Sequence, residues 1–478
     1  MDFKSIYFVF FFIIVLTSFY LTPGNFKKYT LLAFSWFFYA YINPMFLLLL
    51  VAVSFSTFIF AKKIDEINND INKRNLFYVA ILFVLFPLIF LKYFNPLNYI
   101  FGSLVKSIGL NIQPLNLQIL VPVGISFYTL MAVGYLIDVY NEKISAEKNF
   151  TKLALFVSFF PLILSGPIER AERILPQLGQ LKKFNFVNIE QGLKAMLWGF
   201  FLKLVVADRI GLYVDSVYAN FQLHNGTTLI FTTLLYPFQM YADLAGYSLI
   251  AIGVAKALGI DVMSNFKRPF FATSMSGFWR RWHISLISWL TDYVFIPLNF
   301  SLRSYKTWGI ITALFITFII SGLWHEAKMT FLIWGSIQGF ILSVEAVTNV
   351  RRQFFEKRYN LVRKKWYFFL GIVVTYFIFA FSLVFSRSES VNQAIYIIKS
   401  AIKPIGKLFI GTPSTFVYII FGVLIVLIKD YLDEFGANKY LLFVRKNMLL
   451  RQFSYAIIVV IILLFGVFDG GQFIYFQF

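Results

Sequence analysis

Cysteine is absent from this chain of 478 residues, and charged residues are scarce. The lack of thiols excludes a cysteine nucleophile, a disulfide framework, palmitoylation and cysteine-ligated metal within the chain. Only 14% of residues are charged, against about 25% in soluble globular domains. Hydrophobic residues make up 59%, and the mean hydropathy is +0.73. This composition indicates a chain that is surrounded mostly by lipid.

Several motifs of soluble enzymes are also missing. The sequence has no Walker A motif, no GxSxG and no GxGxxG with a following acidic residue. Its three histidines lie 59 and 42 residues apart without an H-x-x-x-H pair, so we expect no metal site.

Acidic residues are few, with 23 Asp and Glu against 43 Lys and Arg, a net charge of +20. In a soluble protein that excess would raise nucleic acid as a partner. Here the basic residues cluster in short segments between apolar spans, as in 351–365 (RRQFFEKRYNLVRKK). That pattern is typical of positive-inside topology and of attraction to anionic headgroups. We therefore expect membrane lipid, and no nucleic acid, as a partner.

Long apolar runs predict an all-α polytopic membrane protein with about 11 to 13 crossings. The first run leads into further spans and lacks a small-residue cleavage site, so we interpret it as a transmembrane helix rather than a signal peptide. The alternation of basic loops places the N-terminus outside. The predicted spans are 6–22, 29–43, 45–61, 77–94, 117–139, 151–165, 193–207, 228–258, 308–323, 328–348, 367–386, 415–428 and 454–469, broken by Pro23, Pro44, Pro96 and Pro161.

Residues 274–300 differ from an ordinary span. On one continuous helix, Arg281, Ser285, Ser288 and Asp292 would share a polar face beside an aromatic face. That pattern predicts a helix in the interface or along a polar cavity, ending near Pro297, and a plain amphipathic surface helix fits it equally well. A second short interfacial helix is predicted over 392–402.

His325 is the first candidate for chemistry because it lies between two apolar spans, where an ionisable side chain is expensive. A neutral imidazole can accept the proton of an attacking hydroxyl, and a reference pKa of about 6.5 suits that role. The neighbouring Glu326 is a possible partner charge. A histidine that only bonds two helices together fits the local sequence as well.

A second candidate group surrounds His283, and a lone carboxylate, Asp243, forms a third. Arginine suits phosphate or carboxylate recognition, so the group could bind a phosphate-bearing donor or a lipid headgroup. Asp243 needs a cationic or hydrogen-bonding partner at its depth, and a tether to an arginine fits it as well as a catalytic role. The substrate-binding or donor-binding candidates are Trp279, Arg280, Arg281, Trp282, Asp292, Trp324 and Asp243.

Six segments over 117–345 together resemble the membrane-bound O-acyltransferases, in the order found in the alginate O-acetyltransferase AlgI-like branch. They are VPVGISFYTLMAVGYLIDVY, FFPLILSGPIERAERILPQL, LWGFFLKLVVADRIGLYVDSVY, YADLAGYSLIAIGVAKALGI, NFKRPFFATSMSGFWRRWHISLISWLTDYVFIPL and SGLWHEAKMTFLIWG. The chain departs from the family pattern at Leu249, Thr291, Glu326 and Gln338. The resemblance implies one membrane-embedded domain over 1–478, with its helices around a central funnel or tunnel. In that domain the N-terminal helices (1–115) and C-terminal helices (346–478) flank the motif core (117–345).

The resemblance also implies a function and two catalytic residues. His325 matches the family's catalytic histidine, and His283 matches a second histidine near it. The implied activity moves an acyl group, here acetyl, from a cytoplasmic thioester donor such as acetyl-CoA to a hydroxyl of an extracytoplasmic glycan. The chain would lie in a bacterial plasma membrane, bind no resident cofactor and work with an extracytoplasmic acetyltransferase.

Two alternatives remain at this point. A D-alanyl transferase of the DltB type would take its acyl group from a carrier protein. A transporter or flippase would use the same polar cavity without forming any acyl product.

Overall fold

The computed structural model describes residues 3–108, 115, 117, 119–436 and 447–468. All regular elements of these residues are helical, which confirms the all-α prediction. The α-helices, in chain order, are Ile6–Leu21 (α1), Lys27–Ala40 (α2), Pro44–Glu66 (α3), Asp70–Ser107 (α4), Ile125–Tyr140 (α5), Phe150–Ser158 (α6), Phe160–Ile163 (α7), Ala171–Gly179 (α8), Phe186–Phe200 (α9), Asp208–Ala219 (α10), Gly226–Ala257 (α11), Met275–Trp279 (α12), Ile284–Leu290 (α13), Ile296–Ser301 (α14), Lys306–His325 (α15), Met329–Arg358 (α16), Lys365–Arg387 (α17), Val391–Ala401 (α18), Pro413–Glu434 (α19) and Met448–Phe465 (α20).

Seven of these helices are long and apolar enough to cross a membrane: α3, α4, α15, α16, α17, α19 and α20. The shorter apolar segments Ile6–Leu21, Ile125–Tyr140 and Phe150–Ile163 overlap three more predicted spans. In the span predicted over 117–139, residues 119–124 are not helical and residue 118 lies outside the described residues. The remaining predicted spans, 29–43, 193–207 and 228–258, fall on helices outside both groups. The chain is thus a multi-pass membrane protein, and its exact number of crossings stays a prediction. Residue 469 of the last predicted span lies outside the described residues.

Side-chain caps explain where several helices begin. Asn43 accepts a hydrogen bond from the backbone N–H of Met45, and Pro44 occupies the first turn of α3, where its missing N–H costs nothing. Pro96 was expected to break a span, but it lies inside α4. The interfacial helix predicted over 392–402 is confirmed as a helix, α18, which Ser390 caps through the N–H of Gln393.

Contacts divide the chain into two compact units, Met1–Met196 with Ala251–Met263, and Leu197–Ile250 with Ser264–Phe478. In the first unit, Phe11 packs against Phe38 and Phe160 with ring centroids 5.5 and 5.3 Å apart. The hydroxyl of Tyr39 donates to the carbonyl of Val123 at 2.9 Å. The second unit contains α12 to α20 and both candidate histidines. The division into 1–115, 117–345 and 346–478 stays a prediction.

The single helix predicted over 274–300 is wrong. The structure has α12, a turn that ends at His283, α13, a π-helical segment over Thr291–Phe295, and α14. The break occurs because His283 adopts a left-handed backbone conformation, with φ 45°. Arg281 consequently does not share a helix with Ser285, and Pro297 lies in the first turn of α14 instead of ending a helix. Helical periodicity alone could not reveal this turn.

Candidate active site

His325 occupies the last residue of α15, directly before a three-residue connection to α16. The two helices approach closely because Gly322 and Gly335 face each other. A Cβ on either glycine would overlap a backbone carbonyl of the other helix. The imidazole ring of His325 therefore lies 6.2 Å from the ring of Phe331 and 5.5 Å from that of Trp334, measured between centroids.

Glu326, the carboxylate beside His325, points to a different partner. Its Oε1 atom lies 2.7 Å from Nζ of Lys328, within the same short connection. The backbone of Glu326 is extended, with φ −155°. Glu326, which departs from the family pattern, thus forms a local ion pair with Lys328.

The turn at His283 is held by hydrogen bonds to Asn265, in the loop that precedes α12. The carbonyl of Asn265 accepts the N–H of Ile284 at 2.8 Å, and the Asn265 side chain accepts both the N–H and the hydroxyl of Ser285. A left-handed conformation of a non-glycine residue is costly and is held in place by surrounding contacts. Burial lowers the pKa of His283 to about 4, so the imidazole is neutral near pH 7.

Both histidines line one narrow cavity of about 30 Å³ in the second unit. Trp279 and Trp282, two of the substrate-binding candidates, line it as well, and their role in binding stays a prediction. The side chains around the cavity are those of Met240, Leu244, Trp279, Trp282, His283, Leu286, Ser321, His325, Phe331, Trp334, Phe379, Leu383 and Ser386. Residues from six helices and one turn therefore surround one small, mostly apolar space.

The two tryptophans are fixed by their neighbours. The indole N–H of Trp279 donates to Gln338 Oε1 at 3.2 Å, and the amide of Gln338 donates to the hydroxyl of Ser382 at 2.7 Å. Trp282 stacks on Phe278 and contacts Phe379, with centroids 5.4 and 5.0 Å apart. Gln338, another departure from the family pattern, thus orients a wall of the cavity.

Trp324 was also a substrate-binding candidate. Its indole is buried, with centroids 4.9 Å from His325 and 6.4 Å from His283. Trp324 does not line the cavity itself. Trp324 instead contacts both imidazole rings and so joins them in one packed cluster.

The two arginines beside Trp279 do not line the cavity. Arg280 is exposed, and its Nε donates to the carbonyl of Ser276 at 3.3 Å. Arg281 is paired with Glu434 at 2.9 Å, and Arg268 contacts the same carboxylate at 2.7 Å. The geometry therefore gives Arg281 an anchoring contact to the end of α19.

Asp292 and Asp243 are likewise not among the residues that line the cavity. Asp292 is exposed on the π-helical segment after α13. Asp243 is buried and paired with Lys203 at 2.6 Å, so its partner is a lysine and not the arginine considered from the sequence. Lys203 also contacts Asp208 at 2.7 Å.

Sequence reasoning missed three of the polar residues that these clusters contain: Lys203, Ser321 and Trp334. Lys203 interrupts an apolar run (GFFLKLVVA), the same signal that drew attention to Asp243. Ser321 precedes His325 by one helical turn, so the i, i+4 rule could have placed them on one face. No local signal pointed to Trp334, because it reaches the cavity from another helix.

These features define the class of protein: a multi-pass all-α membrane protein with two histidines in a buried, thiol-free cavity. The family model described as MBOAT, membrane-bound O-acyltransferase family, matches residues 22–386. The chain belongs to the membrane-bound O-acyltransferase family, and it is an acyltransferase enzyme. The resemblance drawn from the six sequence segments is thereby confirmed, and a transporter is not supported.

Several curated relatives have high similarity. A protein of Pseudomonas putida named "Probable alginate O-acetylase AlgI" is 34% identical over 402 residues, which are 82% of this chain and 79% of that protein. The "Peptidoglycan O-acetyltransferase" of Helicobacter pylori is 31% identical over 412 residues, covering 79% and 74%. The "Teichoic acid D-alanyltransferase" of Streptococcus thermophilus is 29% identical over 274 residues, covering 53% and 65%.

Proposed function

We propose that this enzyme transfers an acetyl group from acetyl-CoA to a hydroxyl of an extracytoplasmic polysaccharide. The main support for this proposal is that His325 and His283, 42 residues apart in the sequence, line one cavity within the region that the family model matches. The names of the Pseudomonas putida and Helicobacter pylori relatives both describe acetyl transfer to a glycan, which supports the acceptor class.

His325 acts as the general base in this proposal. Its imidazole takes the proton of the acceptor hydroxyl while the hydroxyl oxygen bonds to the thioester carbonyl carbon. The tetrahedral adduct then collapses, the carbon–sulfur bond breaks, and the leaving thiolate takes the proton back from the imidazolium. No covalent acyl-enzyme is needed, in keeping with a chain that has no cysteine.

The cavity favours a short acyl group. A site of about 30 Å³ accepts one or two water-sized groups, which suits acetyl better than a fatty chain. His283, Trp279 and Trp282 would shape the donor side, while Trp324 would keep the two imidazoles in register. Exposed Arg280 is proposed for the donor's phosphates, with Arg281, paired with Glu434, beside it on the donor side. Asp292 and Asp243 support the site from outside the cavity wall.

Embedding in the membrane has a purpose in this scheme, because the donor is cytoplasmic and the acceptor extracytoplasmic. Helices that hold a passage would let the two substrates meet at His325 from opposite faces. We place the enzyme in a bacterial plasma membrane, with the N-terminus outside. An extracytoplasmic acetyltransferase would then receive the group or pass it on to the glycan.

A second candidate is D-alanyl transfer from a carrier protein to teichoic acid. The relatives named teichoic acid D-alanyltransferase favour it, although they match only 53% of this chain. The same histidine chemistry would serve, but the thioester would sit on a protein-bound phosphopantetheine. The two candidates therefore differ in the donor and not in the base.

The test uses the purified full-length enzyme with labelled acetyl-CoA and glycan oligosaccharides as acceptors. We expect His325→Ala to lower turnover by about 10²- to 10⁴-fold, the usual contribution of a general base. His224→Ala is the matched control, since His224 lies beside Phe409 and not at the cavity. Thermal unfolding of each variant checks that the fold is retained.

Equal turnover by wild type and His325→Ala would exclude His325 as the base. Transfer from a D-alanyl carrier protein, with none from acetyl-CoA, would favour the second candidate.

A further inference from the structure

Two polar side chains in the cavity have no part in the reaction described so far. Ser321 lies one turn before His325 on α15 and is 1% exposed. Trp334 lies on α16, is 4% exposed, and meets the His325 ring edge-on at 5.5 Å. Both side chains line the same cavity as His325.

The polar atoms of these two side chains, Ser321 Oγ and Trp334 Nε1, have no hydrogen-bond partner among the described residues. Leaving a buried donor unpaired costs about 1–3 kcal/mol. Comparable groups nearby avoid this cost: Thr317 donates to the carbonyl of Ala313, Ser336 to that of Leu332, and Trp279 to Gln338. Other buried polar atoms of the described residues, such as Thr330 Oγ1, also lack a partner, but Ser321 Oγ and Trp334 Nε1 belong to residues that line the cavity with His325.

The chemistry of the two groups limits what they can bind. An indole N–H donates and never accepts, so the ligand atom facing Trp334 must be an acceptor. The Ser321 hydroxyl lines the same small cavity and can donate as well. In direct acyl transfer the atom that most needs two donors is the thioester carbonyl oxygen, which gains negative charge in the transition state.

We propose that Trp334 and Ser321 form an oxyanion hole, an inference that rests on the proposed function. As the acceptor oxygen bonds to the carbonyl carbon, the π electrons of the C=O bond move onto its oxygen. The Trp334 N–H and the Ser321 O–H donate to that oxygen. When the adduct collapses, the electron pair returns to form C=O and the thiolate leaves.

A rival role for Ser321 is that of a nucleophile which carries the acetyl group. Nucleophilic serines are activated by a base within hydrogen-bond reach. Ser321 Oγ makes no hydrogen bond to His325 or to any other described residue. The donor role therefore fits the geometry better, and the nucleophile becomes an outcome of the test.

The experiment compares steady-state acetyl transfer by the full-length enzyme and its single variants. Trp334→Phe and Ser321→Ala should each lower kcat by about 10²- to 10³-fold with little change in KM, as expected when one oxyanion donor is removed. Because Phe is smaller than Trp, a second Trp334 variant carries benzothienylalanine, which keeps the bicyclic shape but lacks the N–H. It should lose as much activity as Trp334→Phe.

The matched controls are Trp308→Phe, at a tryptophan 72% exposed on α15, and Ser336→Ala, at a serine bonded within α16. Both should keep wild-type turnover. A thioether analogue, ethyl-CoA, has a methylene in place of the carbonyl and cannot use the oxyanion hole. Its inhibition constant should be the same for wild type and variants, whereas a purely structural defect would change it.

Three results would overturn the inference. They are full turnover by the benzothienylalanine variant, weakened binding of ethyl-CoA in parallel with the loss of turnover, or an acetyl ester on Ser321 detected by mass spectrometry of quenched enzyme. Absence of transfer by the wild type from any thioester donor would instead reject the proposed function and the inference with it.

Discussion

The second unit buries two polar clusters with contrasting chemistry. In the first, Lys203 lies 2.6 and 2.7 Å from Asp243 and Asp208, and its ammonium group also faces the ring of Tyr247 at 5.2 Å. In the second, around the cavity, His283 is neutral and the side chains of Ser321 and Trp334 keep open donors. One cluster holds charge through pairing, whereas the other holds neutral groups with unused hydrogen-bonding capacity.

The difference separates structural from chemical roles. Paired charges are expensive to bury and become very costly once a partner is removed, so the native fold depends on keeping Lys203 and its two carboxylates together. It lies on a π-helical turn, Phe201–Ala207, where Gly199 and Gly246 bring two helix backbones close together. Open donors beside a base do not stabilise the fold, and they remain available to a ligand.

Removing the shared cation should have the largest effect on stability. Lys203→Met leaves Asp208 and Asp243 buried without their cation, and we expect it to lower the free energy of unfolding by about 3–5 kcal/mol. Thermal unfolding in detergent measures the change. The control Lys62→Met removes an exposed pair with Glu66 at 3.9 Å, which contributes little. An unchanged unfolding temperature for Lys203→Met would mean that the cluster is not structural.

Protonation of His283 should have the next largest effect. Its pKa of about 4 lies below the ordinary value of 6.5 because it is buried, so the unfolded chain binds the proton more readily. The stabilising contribution is complete above pH 6.5 and is lost as the pH falls towards 4, about 3 kcal/mol in total. His283→Gln should flatten the pH dependence of unfolding over that window. Identical pH profiles for both proteins would contradict the buried neutral state.

The smallest loss of stability is expected at Ser321. Since its hydroxyl has no partner among the described residues, Ser321→Ala removes no hydrogen bond and should not lower the free energy of unfolding, despite its large effect on turnover. Ser343→Ala is the matched comparison, because that hydroxyl donates to the carbonyl of Gly339 at 2.7 Å. It should cost about 1 kcal/mol. An equal loss at both positions would show that the Ser321 hydroxyl is bonded in the native protein.

The candidate site could be predicted from the sequence only in part. His325, His283, Trp279 and Trp282 were identified from their motifs, and they do meet in one cavity. Arg281 was expected at the substrate but is paired with Glu434, 153 residues away. No pattern within 274–300 could reveal that pairing or the left-handed turn at His283, because both depend on contacts with Asn265 and α19.

Composition and hydropathy by themselves determined that the chain is helical and membrane-embedded. In lipid a helix satisfies its backbone hydrogen bonds within one segment, so apolar runs suffice to predict it. Only the tertiary structure decided which polar groups meet. Lys203 and Asp243 are 40 residues apart, and Trp334 reaches His325 from another helix. Such contacts depend on how closely two helices pack. Gly322 and Gly335 permit the close approach of α15 and α16, but the sequence does not show that these two glycines face each other.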